Sequence, residues 1–79
     1  MSVVTLYGRP GCHLCDDARD ALERVRAQHP FTLREVDIEE DEDLLRRYLE
    51  RIPVVALDGE ELFDYHVDER ALRSRLALS

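Results

Sequence analysis

Val3 to Tyr7 is a short, mostly apolar run closed by Gly8-Arg9-Pro10-Gly11, which predicts a buried strand ending in a turn. The period then changes. Leu14, Ala18, Ala21, Leu22 and Val25 recur at spacings of four, three, one and three, the apolar face of a helix over about Cys12 to Gln28. Pro30 prevents its continuation. Phe31 and Leu33 alternate with Thr32 and Arg34, so Phe31 to Asp37 reads as a half-buried strand with the β-branched Val36 near its end. The acidic run Glu39-Glu40-Asp41-Glu42-Asp43 fits the approach and first turn of a second helix, where carboxylates are stabilised by the dipole. A metal site built from that run has less support, because nothing in the pattern sets the geometry between the carboxylates. The helix itself shows Leu44, Leu45, Tyr48 and Leu49 on one side, with Arg46, Arg47 and Glu50 outward.

Ile52 to Leu57 predicts a third strand, and Asp58-Gly59 is a strong hairpin signal into a fourth, short strand holding Leu62 and Phe63 and running to about Tyr65. Asp68 can cap a last helix, Glu69 to Leu78, striped by Ala71, Leu72, Leu76 and Ala77. The order is strand, helix, strand, helix, strand, strand, helix. The first strand–helix–strand unit requires parallel pairing through a right-handed crossover, and the hairpin requires antiparallel pairing. The expectation is one α/β domain over residues 1–79, a mixed four-stranded sheet with helices on its faces.

Composition narrows the function classes. The chain has 79 residues, 44% hydrophobic and 37% charged, with a formal net charge of −7. Periodic apolar positions at that density form one compact core rather than a disordered chain. The acidic balance sets nucleic acids and anionic membrane surfaces aside as partners. All 11 cationic side chains are Arg, so a Schiff-base lysine is excluded. No apolar run is long enough to span a bilayer, and Met1-Ser2-Val3-Val4-Thr5 lacks the basic and apolar pattern of a signal peptide. A cytoplasmic monomer is expected, and in that compartment paired cysteines serve redox chemistry or metals more often than structure.

The two cysteines, Cys12 and Cys15, stand where the first strand hands over to the first helix. Residues three apart on a helix lie about 5–6 Å apart at Cβ, and a modest adjustment brings them to the roughly 3.8 Å of a disulfide. A helix N-terminus favours an anion, which raises the thiolate fraction of Cys12. Arg9 and protonated His13 push the same way; Asp16 and Asp17 push against it. Cys12 is then the exposed attacking thiol and Cys15, one turn further in, its resolving partner. A structural staple is a poor reading, since so small a loop yields only about 2 kcal/mol. Zinc is the stronger rival, but His29 and His66 are distant in sequence and show no ligand spacing. A Cys-x-x-Cys at a strand-to-helix junction inside a strand–helix–strand pattern is the thioredoxin-like redox context.

On Cys12-His13-Leu14-Cys15, the element order and Ile52-Pro53, the sequence resembles glutaredoxins, within the thioredoxin fold, and is similar to the short bacterial glutaredoxin-like proteins. The resemblance implies that Ile52-Pro53 is a cis bond beside the cysteine pair, leaving the Ile52 backbone to pair with an extended substrate. It implies that Arg9 holds a glutathione carboxylate, with Arg47 or Arg51 joining from the second helix. Asp68 matches the aspartate that receives the γ-glutamyl end, while Tyr65-His66 replace the glycine pair before it and His13-Leu14 replace the usual Pro-Tyr. The substrate-binding set is therefore Arg9, His13, Ile52, Pro53 and Asp68, with no metal ligands.

The leading expectation is an enzyme that reduces protein or low-molecular-weight disulfides. It holds no bound cofactor, and glutathione or another small thiol, or a flavoprotein reductase, supplies its electrons. Two alternatives stay open: a module binding zinc or bridging an iron–sulfur cluster through Cys12, and a redox sensor whose disulfide switches an interaction without turnover.

Overall fold

The computed structural model describes residues 2–78. Its elements are β1 (Val3–Gly8), α1 (His13–Gln28), β2 (Thr32–Asp37), a 3₁₀ turn (Ile38–Glu40), α2 (Glu42–Tyr48), β3 (Val54–Leu57), β4 (Glu60–Asp64) and α3 (Glu69–Leu78). The four strands form one sheet in the order β2-β1-β3-β4. β1 runs parallel to β2 and antiparallel to β3, which in turn is antiparallel to β4. This is a thioredoxin-like α/β architecture, with the mixed sheet that the sequence pattern predicts.

Alternation along β1 sorts the core into two layers. Val4 and Leu6 face α1 and α3, packing with Ala18, Leu22, Val25, Leu72 and Leu76. Tyr7 faces the other way, toward Ile38, Tyr48 and Val54 beneath α2. β3 is buried along its whole length, as a strand covered on both sides must be. The β3–β4 hairpin turns through Asp58 at φ 49° and Gly59 at φ 90°, both left-handed, the pair of angles a two-residue turn of this kind needs. Asp58 also ties the turn to β1: its carboxylate accepts from the Val3 N–H at 2.8 Å.

The structure corrects several boundaries. Cys12 is not in α1; it is the N-cap, with extended backbone at φ −95°. The second strand starts at Thr32, after a buried Phe31. The acidic run does not simply enter a helix. Asp37 caps the 3₁₀ turn, and Asp41 then caps α2 by accepting from the Asp43 and Leu44 N–H groups at 2.8 and 3.3 Å. Leu49 leaves the buried side of α2 and is 42% exposed, because the helix ends there and the N–H groups of Arg51 and Ile52 both turn back to the Tyr48 carbonyl. For the same reason β3 starts at Val54 rather than Ile52. Among the described residues no helix is long and apolar enough to cross a membrane.

Arg–carboxylate pairs knit the surface. Arg24 grips Glu69 with two hydrogen bonds, joining α1 to α3. Arg51 reaches Glu61 and Asp64 on β4, and Arg75 reaches Glu60. Hydrogen bonds from Arg75, Arg51 and Arg24 hold the carboxyls of Glu60, Glu61 and Glu69, respectively, below the ordinary glutamate range. Depressed folded-state values contribute stability above the unfolded titration range and lose it as pH falls through the folded values. The urea midpoint should therefore drop on acidification below about pH 4.5, and replacing all three glutamates with glutamine should flatten that drop; solvent screening keeps each share small. A slope unchanged in the triple variant would rule these pairs out as its source. In the core, Leu22 is 0% exposed, so Leu22→Ala should cost about 3 kcal/mol and lower Tm by roughly 15 °C, read by thermal unfolding.

Candidate functional site

β1 ends at Gly8, and Arg9-Pro10-Gly11 carry the chain over to α1 through a left-handed Gly11 at φ 78°. Cys12 then occupies the position that a serine or aspartate usually takes at a helix start. Its Sγ accepts the N–H of Cys15, the third residue of the first turn, at 3.2 Å. The helix therefore aims its unpaired N–H groups at this sulfur. Cys12 and Cys15 are joined as a disulfide, with Cα atoms 5.2 Å apart. Cys12 is partly exposed, whereas Cys15 is only 2% exposed.

Gly8 makes this docking possible. Alternation puts it on the α1 face, after Val4 and Leu6. A Cβ there would lie 2.9 Å from the Cys15 Sγ and 3.2 Å from its Cβ. The sequence reading used Gly8 only as a turn residue. The need for its missing side chain comes from the contact of α1 against β1.

The sequence-predicted binding residues are placed as follows. Arg9 is exposed in the turn, its guanidinium 3.9 Å from Glu39. His13 opens α1 and is exposed. The Ile52–Pro53 peptide bond is cis, and Pro53 is buried. Tyr7 pairs with Val54 across β1 and β3, so Gly8 and Pro53, the next residues outward, reach the same end of the sheet. The Ile52 N–H does not stand open to a substrate: it donates to the Tyr48 carbonyl at 3.0 Å. Strand addition at Ile52 would have to use the carbonyl side or displace this last turn. Asp68 caps α3, accepting from the Ala71 N–H at 3.0 Å. Of the two arginines expected from the second helix, Arg51 lies past the end of α2 and is held by Glu61 and Asp64, and Arg47, on α2, lies over the Tyr48 ring at 5.3 Å. Tyr48 itself is buried and donates to Glu61 at 2.9 Å, and its hydroxyl pKa is raised mainly by desolvation, then by that carboxylate.

Two cavities lie along the first turns of α1. One, of about 330 Å³, reaches Cys15 from the β2 side and is edged by Arg9, Asp16, Arg19, Glu35 and Asp37. Arg19 bridges Asp16 at 3.0 Å and also pairs with Glu35. The other, about 180 Å³, lies between the first turns of α1 and the β4–α3 connection, with Leu14, Asp17, Tyr65 and His66 on its walls. Tyr65 was not singled out from the sequence as a conformational feature, yet it sits at φ 68°, a region that bulky side chains rarely adopt. Its N–H donates to the Pro53 carbonyl at 2.9 Å and its hydroxyl donates to the Glu50 carbonyl. No cluster of three or more potential metal ligands forms among the described residues.

Comparison with known proteins gives this geometry a family. The model of the glutaredoxin-like domain family (DUF836) matches residues 3–77, nearly the whole chain. The chain belongs to the glutaredoxin-like domain family. It is 29% identical over 77 residues to a glutaredoxin-like protein of Dictyostelium discoideum, covering 87% of this chain and 69% of that one. An uncharacterised Mycobacterium tuberculosis protein is 31% identical over 81 residues, covering 96% and 84%. Among solved structures, protein Ne2328 from Nitrosomonas europaea superposes with a TM-score of 0.83 at 30% identity, covering 94% of this chain and 89% of that one. Protein XcR50 from X. campestris gives 0.77 at 38%, covering 96% and 97%. A thioredoxin from Halobacterium salinarum, at 23% identity and a TM-score of 0.68, shares the fold while covering 98% of this chain and 73% of its own. A glutaredoxin-like domain with its cysteine pair at the start of α1 fits a redox role.

The Gly8 contact is testable. Gly8→Ala should crowd the Cys15 sulfur and cost about 1–3 kcal/mol, with the larger loss in the oxidised protein, where the sulfur is tethered. Thermal unfolding with and without dithiothreitol measures both forms. An equal Tm for wild type and variant in the oxidised state would remove Gly8 from this account.

Proposed function

We propose that the chain is a thiol–disulfide oxidoreductase that reduces protein or low-molecular-weight disulfides through Cys12 and Cys15. One observation carries the reading. The two sulfurs form a disulfide at a helix start, with the first partly open to solvent and the second enclosed.

The chemistry follows from that asymmetry. In the reduced protein the Cys12 thiolate is stabilised by the α1 N-terminus and the Cys15 N–H. It attacks one sulfur of a substrate disulfide, forming a mixed disulfide and expelling the other sulfur as a thiolate, which takes a proton. Cys15, as its thiolate, then attacks the Cys12 sulfur and releases the second substrate thiol. Two electrons pass to the substrate, and the Cys12–Cys15 disulfide remains. A small thiol or a flavoprotein reductase reduces it for the next cycle. Such a donor is at hand in the cytoplasm, where we place the protein. Binding supports the chemistry in two ways. The Ile52 carbonyl, at the same sheet end, is the backbone group left to an extended substrate, and Arg9 and His13 stand exposed in the turn and at the helix start on either side of Cys12 in the chain.

The two cysteines should separate by role. Cys12→Ser should reduce turnover of any disulfide to the uncatalysed rate. Cys15→Ser should still form a mixed disulfide with a small substrate and, with excess thiol, complete a one-thiol cycle. A Cys15→Ser variant as inactive as Cys12→Ser in a one-thiol assay would overturn the assignment. Mass spectrometry of its stalled adducts identifies the natural substrates directly.

A further inference from the structure

The groove between α1 and the β4–α3 connection starts at the first turn of α1, where Leu14 on its wall stands between the two cysteines in the chain. Two of its lining side chains are large, apolar and exposed, Leu14 at 39% and Tyr65 at 46%. Tyr65 is held at both ends, by its N–H on Pro53 and its hydroxyl on Glu50. A fixed, exposed aromatic ring offers contact area with little side-chain entropy left to lose.

The groove is lined by the carboxylates of Asp17 and Glu69 and by Arg24 and His66. Arg24 is bound by both oxygens of Glu69, and Arg51 is shared between Glu61 and Asp64. On the opposite side of the pair, Arg19 is taken by Asp16 and Glu35, and Arg9 stands 3.9 Å from Glu39. Asp17, on the groove wall, is within electrostatic reach of Arg24 but makes no hydrogen bond or close ion pair with it among the described residues, and that guanidinium is held by Glu69. The guanidiniums near the pair are thus already matched to carboxylates, while acidic charge is left over on a chain of net charge −7.

We propose that this groove takes polypeptide disulfides whose cysteines are flanked by cationic residues, with Tyr65 and Leu14 holding the apolar part of the segment and Asp17 the charge. Small anionic disulfides such as oxidised glutathione, with four carboxylates against two ammonium groups, are disfavoured by the same field. The proposal rests on the oxidoreductase reading and uses its electron balance: the dithiol is oxidised, the peptide disulfide is reduced, and dithiothreitol recharges the enzyme in the assay.

The test compares three disulfide-linked fluorogenic peptides, identical except for two Arg, two Ser or two Glu beside the cysteines, together with oxidised glutathione. Each rate is divided by the rate with dithiothreitol alone, which removes the effect of the flanks on intrinsic disulfide reactivity. At low ionic strength kcat/KM should be about tenfold higher for the Arg peptide than for the Glu peptide, with glutathione disulfide lowest. The difference should shrink toward unity near 1 M salt, where the screening length falls to about 3 Å. Asp17→Asn should lower the Arg-peptide rate and raise the Glu-peptide rate together, a crossing that loss of folding cannot produce. Equal rates on all three peptides, or glutathione disulfide as the best substrate, would overturn the charge assignment while leaving the oxidoreductase in place. Absence of turnover on every substrate, with both thiols shown reduced by titration, would remove the oxidoreductase reading and this proposal with it.

Discussion

The closeness of α1 to the end of β1 is the constraint on which the site depends. Gly8 presents no side chain, so Cys15 can press against the strand with its sulfur in the space that a Cβ would fill. This seats the first turn of α1 at one height above the sheet. Cys12 then falls at the N-cap, where its sulfur meets the Cys15 N–H. Sulfur pairing, the enclosure of Cys15 and the partial exposure of Cys12 all follow from this single approach. A bulkier residue at position 8 would lift the turn and unsettle each of them.

The rest of the molecule keeps that junction in register. Val4 and Leu6 anchor β1 against Leu22, Val25 and Leu72, so the helix carrying Cys15 and the strand carrying Gly8 share one core. On the opposite face Tyr7 stacks near Tyr48, with ring centroids 4.8 Å apart, and Tyr48 reaches Glu61 on β4. The last turn of α2 then takes the Ile52 N–H and delivers Pro53 to the sheet end where Gly8 lies. Tyr65 closes this arrangement from the β4 side through hydrogen bonds to Pro53 and Glu50. The surroundings of the redox pair are therefore built from three connections that meet at one end of the sheet, as in open α/β sheets generally.

Electrostatically, the domain resolves a conflict between solubility and reactivity. A helix start favours an anion at Cys12, yet the chain carries an excess of carboxylates. Several carboxylates near the pair are matched by an arginine, as in Asp16 and Glu35 with Arg19 and Glu69 with Arg24. This limits the local repulsion on a thiolate, but it also removes free guanidiniums from the groove. The glutaredoxin-like resemblance led us to expect Arg9 and Arg47 or Arg51 to greet an anionic ligand. In the folded molecule Arg51 is held by two carboxylates, and Arg9 is shared with Glu39.

Local signals in the sequence were sufficient for the four strands and three helices, the mixed sheet and the cysteine pair at the helix start, but not for the 3₁₀ turn before α2. Asp68 and the stripe of Leu72 and Leu76 marked α3 at its observed bounds, and Asp58-Gly59 marked the hairpin, because caps, turns and helical periodicity are decided within a few residues. Cys-x-x-Cys after a strand and a turn pointed to its chemistry for the same reason. What only the tertiary structure decided involves residues far apart in the chain. That Gly8 must lack a side chain depends on Cys15 crossing β1; that Tyr65 is left-handed and bound to Glu50 depends on α2 lying beside β4. The fate of Arg24 was set by a glutamate 45 residues away, brought there when α3 packed on α1. Periodicity tells which face of an element is buried, but not which partner meets it, and the partner determines whether a charge stays free to bind anything else.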